Sequence, residues 1–226
     1  MIISHSHKFI FIKSTKTAGT SLEAALSHCC SNGDVVTELG DYRHNRDENG
    51  NWVHRAMNSE GFEQEEPALS IRAKVGAEIW SSYFKFSIAR NPWDRAVSSF
   101  SWHARKNPRP RKRLIHRLGV PFDEMAAIKR QFAQFVRDDL KTNDRFYIID
   151  GELCVDYVIR YENLSKDFDE VCRRIGLSPG KLPHLKAGLR EDGRHYSEYF
   201  DAEARALVEQ RHQHDVRLFG YRFEER

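Results

Sequence analysis

The N-terminal region combines an apolar run with a turn of small and hydroxyl residues. The run, Lys8-Phe-Ile-Phe-Ile-Lys13, has the length and composition of a buried β-strand. The turn, Ser14-Thr-Lys-Thr-Ala-Gly-Thr-Ser21, leads into Leu22-Glu-Ala-Ala-Leu26, which predicts a helix. A turn between a strand and a helix lies at the carboxyl edge of the sheet, where open α/β sheets bind ligands. The chain is therefore constrained to an α/β fold with a binding loop at this edge.

The turn has the composition of an anion-binding loop. The start of a helix carries free N–H groups and the positive end of the helix dipole. Thr20 and Ser21 add hydroxyl donors, Gly19 lets the backbone come close to an oxyanion, and Lys16 supplies a positive charge. These features together predict a phosphate-bearing ligand.

The order of residues in this loop differs from that of the nucleoside-triphosphate loop. In that loop the lysine follows the second glycine, and the next hydroxyl residue holds Mg²⁺. Here Lys16 precedes Gly19, and no glycine lies upstream in the turn. The hexapeptide alone is equally compatible with an ordinary capped turn that carries a solvated lysine, since short motifs often match by chance. A second element is needed to decide.

A second apolar strand ends in an arginine and is followed by a helix. The strand covers residues 84–89, so Arg90 is expected at its tip, beside the first loop. Ser98 follows on the next helix, close enough to join Arg90 on one anion, and a guanidinium suits bidentate phosphate recognition. The alternative is that Arg90 and Arg95 pair with Asp94 and other nearby acids.

Together these segments resemble the sulfotransferase family, in particular its carbohydrate-type branch and the related bacterial proteins. In that family the first loop holds the 5′-phosphosulfate of 3′-phosphoadenosine-5′-phosphosulfate (PAPS), and the second segment holds the 3′-phosphate. The resemblance extends to Val158-Ile-Arg-Tyr-Glu-Asn-Leu164 and to the carboxyl region, and is weakest over residues 30–75 and 103–145. The cofactor-binding residues that it implies are Lys13, Lys16, Thr17, Ala18, Gly19, Thr20, Ser21, Arg90, Ser98, Arg190 and Arg194.

The alternation of strands and helices predicts an α/β fold with a P-loop-like parallel sheet flanked by helices on both faces. No linker or repeat divides the sequence, so a single domain over residues 1–226 is expected. Strands are predicted over residues 8–13, 84–89 and about 155–160, and helices over 20–30, 68–80, 92–105, 128–140, 164–175 and 201–216.

Shorter signals refine this outline. Residues 144–151 suggest a small extra strand and turn. Thr20, Ser70 and Asp201 are predicted helix starts, and Gly176 and Gly220 are predicted helix ends.

The resemblance implies PAPS-dependent sulfuryl transfer to a hydroxyl acceptor, with a saccharide or other acidic glycan as a candidate. Such a transfer is mainly a matter of positioning and charge stabilisation. Because a sulfuryl group carries less negative charge than a terminal phosphoryl group, the need for Mg²⁺ is smaller, and no metal is expected. Lys16 would neutralise the charge that grows on the leaving 5′-phosphate.

Three residues are candidates for the general base that accepts the acceptor's proton. In this branch of the family a histidine between the two loops often has this role, and His54 beside Trp52 is the first candidate. Glu65 stands where the family's histidine commonly lies, so a carboxylate is the second candidate. His44 is the third, and each of the three is also compatible with an ordinary surface position.

The charge distribution leaves two further functions open. The formal net charge is only +3, yet seven basic residues crowd positions 105–117, either as a solvated loop or as a patch for an acidic acceptor or the cofactor's phosphates. A polyanion-binding module of the same fold without catalysis is therefore one alternative, and a small nucleotide kinase is another. Nucleic-acid binding is not expected, because the remaining charge is balanced and no recognition motif is present.

The sequence shows neither a signal peptide nor an apolar run that could cross a bilayer. Family members of the eukaryotic secretory pathway carry a membrane anchor, so a cytoplasmic, bacterial protein is expected. The four cysteines lack metal-binding spacing, and reduced, mostly buried thiols are expected.

Overall fold

The computed structural model describes residues 1–39, 56–106, 123–178, 182 and 193–225. The chain divides into two compact units, each built from two segments. The first unit comprises Met1–Arg90 and Asn143–Ala187, and the second comprises Asn91–Thr142 and Gly188–Arg226. That residues 1–226 form a single domain stays a prediction.

The described part of the first unit contains seven short strands. Five of them form one sheet, and the other two form a separate hairpin. The strands are β1 (Ile2–Ser4), β2 (Phe9–Phe11), β3 (Val35–Val36), β4 (Phe84–Ala89), β5 (Ile148–Ile149), β6 (Glu152–Leu153) and β7 (Tyr157–Arg160).

The five-stranded sheet has the order β3-β1-β2-β4-β7. Its centre is parallel, because β2 pairs parallel with β4 and β4 pairs parallel with β7. In contrast, β1 runs antiparallel to both β2 and β3. The α/β class and the parallel centre are therefore confirmed, and a wholly parallel sheet is wrong.

The antiparallel pairing of β1 follows from its short connection to β2. Only residues 5–8 join the two strands, and parallel strands need a much longer crossover. The carboxylate of Asp34 accepts hydrogen bonds from the N–H groups of His5 (2.7 Å) and Ser6 (3.1 Å) and so holds this turn. A strand of three residues offers too few positions for a periodic pattern, and the sequence did not predict β1.

The hairpin of β5 and β6 confirms the small extra strand and turn expected over residues 144–151. Its two turn residues, Asp150 (φ 52°) and Gly151 (φ 81°), both adopt positive φ. A hairpin turn with two such residues matches the right-handed twist of the strands that it joins.

Seven α-helices lie in the described ranges, and none of these is long and apolar enough to cross a lipid bilayer. The first, second and fifth belong to the first unit, and the other four to the second. The helices are α1 (Gly19–Ser27), α2 (Ala68–Ser82, interrupted at Gly76), α3 (Pro92–Lys106), α4 (Glu124–Asp138), α5 (Leu164–Arg174), α6 (Ala202–Arg211) and α7 (Gln213–Phe219).

The core of the first unit lies between one face of the sheet and two helices. Phe11 on β2 and Phe86 on β4 stack with their ring centroids 5.2 Å apart. Leu22 from α1, and Phe168 and Val171 from α5, are buried in the same cluster. Burial of such large side chains is the main stabilising contribution to this unit. A P-loop-like topology and helices on both faces stay predictions.

The second unit is helical in its described part. Phe132 of α4 makes edge-to-face contacts with Phe100 of α3 at 5.4 Å and with Phe200 at 4.7 Å. The helix predicted over residues 201–216 is divided into α6 and α7 at His212, whose φ of −105° and ψ of 28° interrupt the helix. The predicted start at Asp201 is confirmed, because its carboxylate accepts the N–H of Ala204 at 2.7 Å.

Two predicted helix starts in the first unit are wrong. Thr20 and Ser70 lie within α1 and α2, which are preceded by Ala18 and Pro67. The predicted ends are confirmed, since Gly176 (φ 73°) and Gly220 (φ 64°) follow helices with positive φ.

All four cysteines are free thiols. Cys172 is buried, whereas Cys29, Cys30 and Cys154 are only half-buried. The expectation of mostly buried thiols is therefore correct for one of the four residues. The other three lie at element ends, where less of the side chain is covered.

Candidate functional site

The loop of residues 12–18 joins β2 to α1 at the carboxyl edge of the parallel strands. Two of its residues that carry a side chain, Lys16 (φ 64°) and Ala18 (φ 66°), adopt the left-handed conformation. This conformation costs about 1–2 kcal/mol for such residues and persists only where the surroundings hold it. Turns of this kind gather successive N–H groups into an anion-binding concavity.

Helix α1 begins without a side-chain cap. Ala18 occupies the capping position, and its methyl side chain cannot accept a hydrogen bond from the first N–H groups. The N–H groups of Ser21 and Leu22 donate to the Ala18 carbonyl at 2.9 and 3.3 Å. The first N–H groups of an uncapped helix and its dipole favour an anion at this end. The predicted anion-binding character of the loop therefore fits its observed geometry.

Lys13 lies inside the protein at the start of this loop. It is 3% exposed, and its ammonium group pairs with Oε2 of Glu23 at 2.6 Å. Lys13 is therefore not a solvated surface lysine. Its aliphatic chain crosses the first residue of α1, because a Cβ added at Gly19 would lie 2.8 Å from Cγ of Lys13. The packing of Lys13 thus requires a glycine at position 19, a reason that the sequence alone did not give.

Glu23 is the buried counterion of this cluster. Burial would raise the pKa of its carboxyl group, but the positive charges of the Met1 amine and of Lys13 outweigh burial and hold the pKa below the ordinary value of 4.5. Its Oε1 also accepts a hydrogen bond of 2.6 Å from the hydroxyl of Thr37. The ionised Glu23 therefore ties α1 to the end of β2.

Two buried hydroxyl residues support the loop from within. The hydroxyl of Thr17 donates to the Ser14 carbonyl at 3.0 Å and lies 2.7 Å from the Ser14 hydroxyl. Ser14 in turn donates to the carbonyl of Ile88 in β4 at 2.5 Å. The Thr17 hydroxyl is thus engaged in the loop itself. Ser14, which the sequence did not single out, ties the loop to the neighbouring strand.

Arg90, at the end of β4, contacts both neighbouring strand ends. Its Nη1 donates to the carbonyl of Lys16 at 2.9 Å, and its guanidinium carbon lies 4.1 Å from the ring centroid of Tyr161, which follows β7. The structure therefore brings Lys16 and Arg90 together, as the positions of their strands predict. The contact with Tyr161 could not be read from the sequence, although this residue lies in a segment that resembles the family.

Thr15 connects the loop to two further polar side chains. Its hydroxyl donates to Oε2 of Glu65 at 3.1 Å, so this candidate base lies at the loop, where its side chain is exposed. The amide Nδ2 of Asn143 donates to the Thr15 carbonyl at 2.8 Å. Nothing in the sequence marked Asn143, because the contact joins residues that are 128 positions apart.

The remaining predicted site residues lie outside the described part of the first unit. Ser98, on α3, and Arg194 are half-buried residues of the second unit, and their predicted roles stay predictions. His54, His44 and Arg190 lie outside the described residues, as does the basic segment after position 106.

The predicted site residues that the first unit contains come from the loop, from the start of α1 and from the two contacts described above. Among the described residues of that unit they are Lys13, Lys16, Thr17, Ala18, Gly19, Thr20, Ser21, Glu65 and Arg90.

The sequence of this chain is similar to known proteins over most of its length. The sequence profile of the sulfotransferase family matches residues 1–222. An uncharacterized protein of Archaeoglobus fulgidus is 30% identical over 113 residues, which make up 49% of this chain and 82% of that protein. No solved structure matches the chain. Because the family profile spans nearly all of the chain, this protein belongs to the sulfotransferase family.

Proposed function

We propose that this protein transfers the sulfuryl group of PAPS to a hydroxyl group of an acceptor. The observation that carries the proposal is the 2.9 Å hydrogen bond from Arg90 to the carbonyl of Lys16. It sets a loop suited to one anion beside an arginine suited to another, at the same edge of the sheet. PAPS carries two anionic groups on one ribose, and therefore needs two neighbouring anion sites.

The residues at this edge fit the two ends of PAPS. Lys16, the N–H groups at the start of α1 and the hydroxyls of Thr20 and Ser21 would hold the 5′-phosphosulfate. Arg90 would hold the 3′-phosphate, because a guanidinium offers two parallel N–H donors to a phosphate. The contact with Tyr161 supports this role, since the ring holds the plane of the guanidinium, whose edge carries the N–H donors.

The residues of the protein would stabilise the charge on the leaving 5′-phosphate and accept the proton of the acceptor hydroxyl. When bound, PAPS supplies the sulfuryl group: its bond to the 5′-phosphate oxygen breaks while a bond to the acceptor oxygen forms. Lys16 and the N–H groups of the loop neutralise the charge left on the 5′-phosphate. Since the proton of the acceptor hydroxyl must leave, a base is needed near the loop.

Glu65 is the proposed base. The hydrogen bond from the Thr15 hydroxyl supports this choice, because it holds an exposed carboxylate at the anion-binding loop. His54 remains a second candidate on the resemblance alone. A saccharide or other acidic glycan as acceptor, independence from metals and a cytoplasmic location also belong to the proposal.

Binding of 3′-phosphoadenosine-5′-phosphate (PAP), the product nucleotide, tests the donor site directly. Thermal unfolding is measured with PAP in EDTA, and PAP at 100 times its dissociation constant should stabilise the fold by about 2.7 kcal/mol. Absence of any shift in Tm with millimolar PAP would contradict the proposal. Turnover of ATP that requires Mg²⁺ would support the kinase, and binding of heparin without sulfuryl transfer would support the polyanion-binding module.

Transfer itself is tested with ³⁵S-labelled PAPS and a panel of hydroxyl compounds. Lys16→Ala should lower kcat by about 10²–10³-fold with an unchanged circular dichroism spectrum, because charge stabilisation in the transition state is lost. Lys166→Ala is the matched control, since Lys166 is an exposed lysine on α5 of the same unit. Equal activities of the two variants would exclude Lys16 from catalysis.

A further inference from the structure

The amide of Asn143, a residue distant in sequence, donates a hydrogen bond to the anion-binding loop. The residue is 1% exposed, and its Nδ2 donates to the Thr15 carbonyl at 2.8 Å. Its main chain is fixed as well, because its carbonyl accepts the N–H of Phe146 at 3.0 Å. A buried amide in a fixed place and directed at a loop carbonyl restricts that carbonyl to one orientation.

Two consecutive carbonyls of the loop are held in this way. Asn143 binds the carbonyl of Thr15, and Arg90 binds the carbonyl of Lys16. In a trans peptide the N–H group points opposite to the carbonyl of the same peptide plane. The two donors therefore fix the directions of the N–H groups of Lys16 and Thr17, which belong to those planes.

The backbone of Lys16 needs such support. With φ of 64° it adopts a conformation that non-glycine residues avoid, at a cost of about 1–2 kcal/mol. Strained backbone of this kind persists only when neighbouring groups over-determine it. Arg90 lies at the proposed 3′-phosphate site and is itself a ligand-binding group. Asn143 differs from Arg90, because its amide donates to the backbone of the loop, at the carbonyl of Thr15.

We propose that Asn143 is a positioning residue that keeps the loop in its anion-binding form and thereby sets the affinity for the 5′-phosphate end of the nucleotide. The inference rests on the proposed function. It assigns Asn143 to one end of the nucleotide only. Loss of its amide therefore weakens the binding of nucleotides that carry a 5′-phosphate and leaves the binding of nucleotides without one unchanged.

Isothermal titration calorimetry with two nucleotides tests this assignment. PAP carries both phosphates, whereas adenosine 3′-phosphate lacks the 5′-phosphate. Asn143→Ala should raise the dissociation constant of PAP about tenfold, since one buried hydrogen bond to the loop is lost. It should leave the dissociation constant of adenosine 3′-phosphate unchanged. An unchanged affinity for PAP, or an equal loss for both nucleotides, overturns the proposal.

Two more variants make the experiment decisive. Asn58→Ala removes another amide of the same unit, which donates to the carbonyls of Asn32 (2.7 Å) and Asp34 (2.8 Å). It should leave both dissociation constants unchanged. Asn143→Asp keeps the shape but removes the donor, and it replaces Asn143→Ala if that variant does not fold. It should likewise weaken PAP more than adenosine 3′-phosphate, and equal losses overturn the proposal.

Binding of the two nucleotides to the wild-type protein tests the proposed function separately from the role of Asn143. If it binds neither nucleotide, the proposed function fails and the role of Asn143 fails with it. If it binds both, and the Asn143 variants show no selective loss for PAP, only the role of Asn143 is wrong.

Discussion

The guanidinium of Arg90 donates a hydrogen bond of 2.9 Å to the carbonyl oxygen of Lys16, a residue 74 positions earlier in the chain. The same guanidinium lies over the ring of Tyr161, 4.1 Å from its centroid. Arg90 therefore connects the ends of three adjacent parallel strands. Its loss affects the proposed 3′-phosphate site directly and the loop of Lys16 through the main chain.

Arg90→Ala should weaken the binding of PAP about 10–150-fold, because a charge-assisted phosphate contact contributes about 1.5–3 kcal/mol. Arg90→Lys should recover only part of the affinity, since an ammonium group keeps the charge but offers no planar pair of donors. Calorimetry in EDTA measures both variants. An affinity equal to that of the wild type in Arg90→Ala would exclude Arg90 from the nucleotide site.

Tyr161 should contribute to nucleotide affinity through its ring. Tyr161→Leu removes the aromatic face under the guanidinium and should weaken PAP about 3–10-fold, as expected for a cation–π contact worth about 0.5–1.5 kcal/mol. Tyr161→Phe keeps the face and is the matched control, with affinity close to that of the wild type. If both variants lose the same affinity, the phenolic hydroxyl and not the ring is responsible.

The parts of the site that could be predicted from the sequence are those with local signals. The strand of residues 84–89 is a short apolar run bounded by Arg90, and β4 has the same limits. The lysine, glycine and hydroxyl residues before α1 predict an anion-binding loop. Because neighbouring parallel strands end at one edge, the meeting of Lys16 and Arg90 follows from these local patterns.

The remaining parts depend on contacts between distant segments, for which the sequence carries no local signal. Asn143 reaches Thr15 across 128 positions, and its neighbours in sequence show no motif. The sequence predicts that Gly19 lets an oxyanion approach the backbone, and the structure also shows Lys13 packed against it. Such packing depends on where Glu23 holds the lysine, which only the folded chain determines.

Gly19→Ala should destabilise the protein, because the added Cβ would lie 2.8 Å from Cγ of Lys13, whose ammonium is held by Glu23. Overpacking of this kind costs about 1–3 kcal/mol. Gly33→Ala is the matched control, since a Cβ there meets nothing within 4 Å and φ is not positive. Urea unfolding followed by circular dichroism compares the two, and equal stabilities would show that Lys13 moves aside freely.

The pair of Glu23 and Lys13 makes the stability of the fold depend on pH. Two positive charges, the Met1 amine and Lys13, hold the pKa of the Glu23 carboxyl below its ordinary value of 4.5 despite burial, which acts in the opposite direction. A carboxyl group with a lowered pKa in the folded state stabilises the fold above its unfolded pKa. This contribution is lost as the pH falls through the folded pKa.

Glu23→Gln should therefore lower the free energy of unfolding by about 3–5 kcal/mol at pH 7, because the ammonium of Lys13 is left buried without its counterion. The difference from the wild type should begin to narrow as the pH falls below 4.5, the ordinary pKa of the carboxyl group, and should disappear only below the lowered pKa of folded Glu23, where Glu23 becomes neutral. Urea unfolding between pH 3 and pH 7 measures it, with Glu170→Gln as the control, since Glu170 pairs with Arg173 and Arg174 on the exposed face of α5. A difference that does not vary with pH would show that Glu23 acts through its shape and not through its charge.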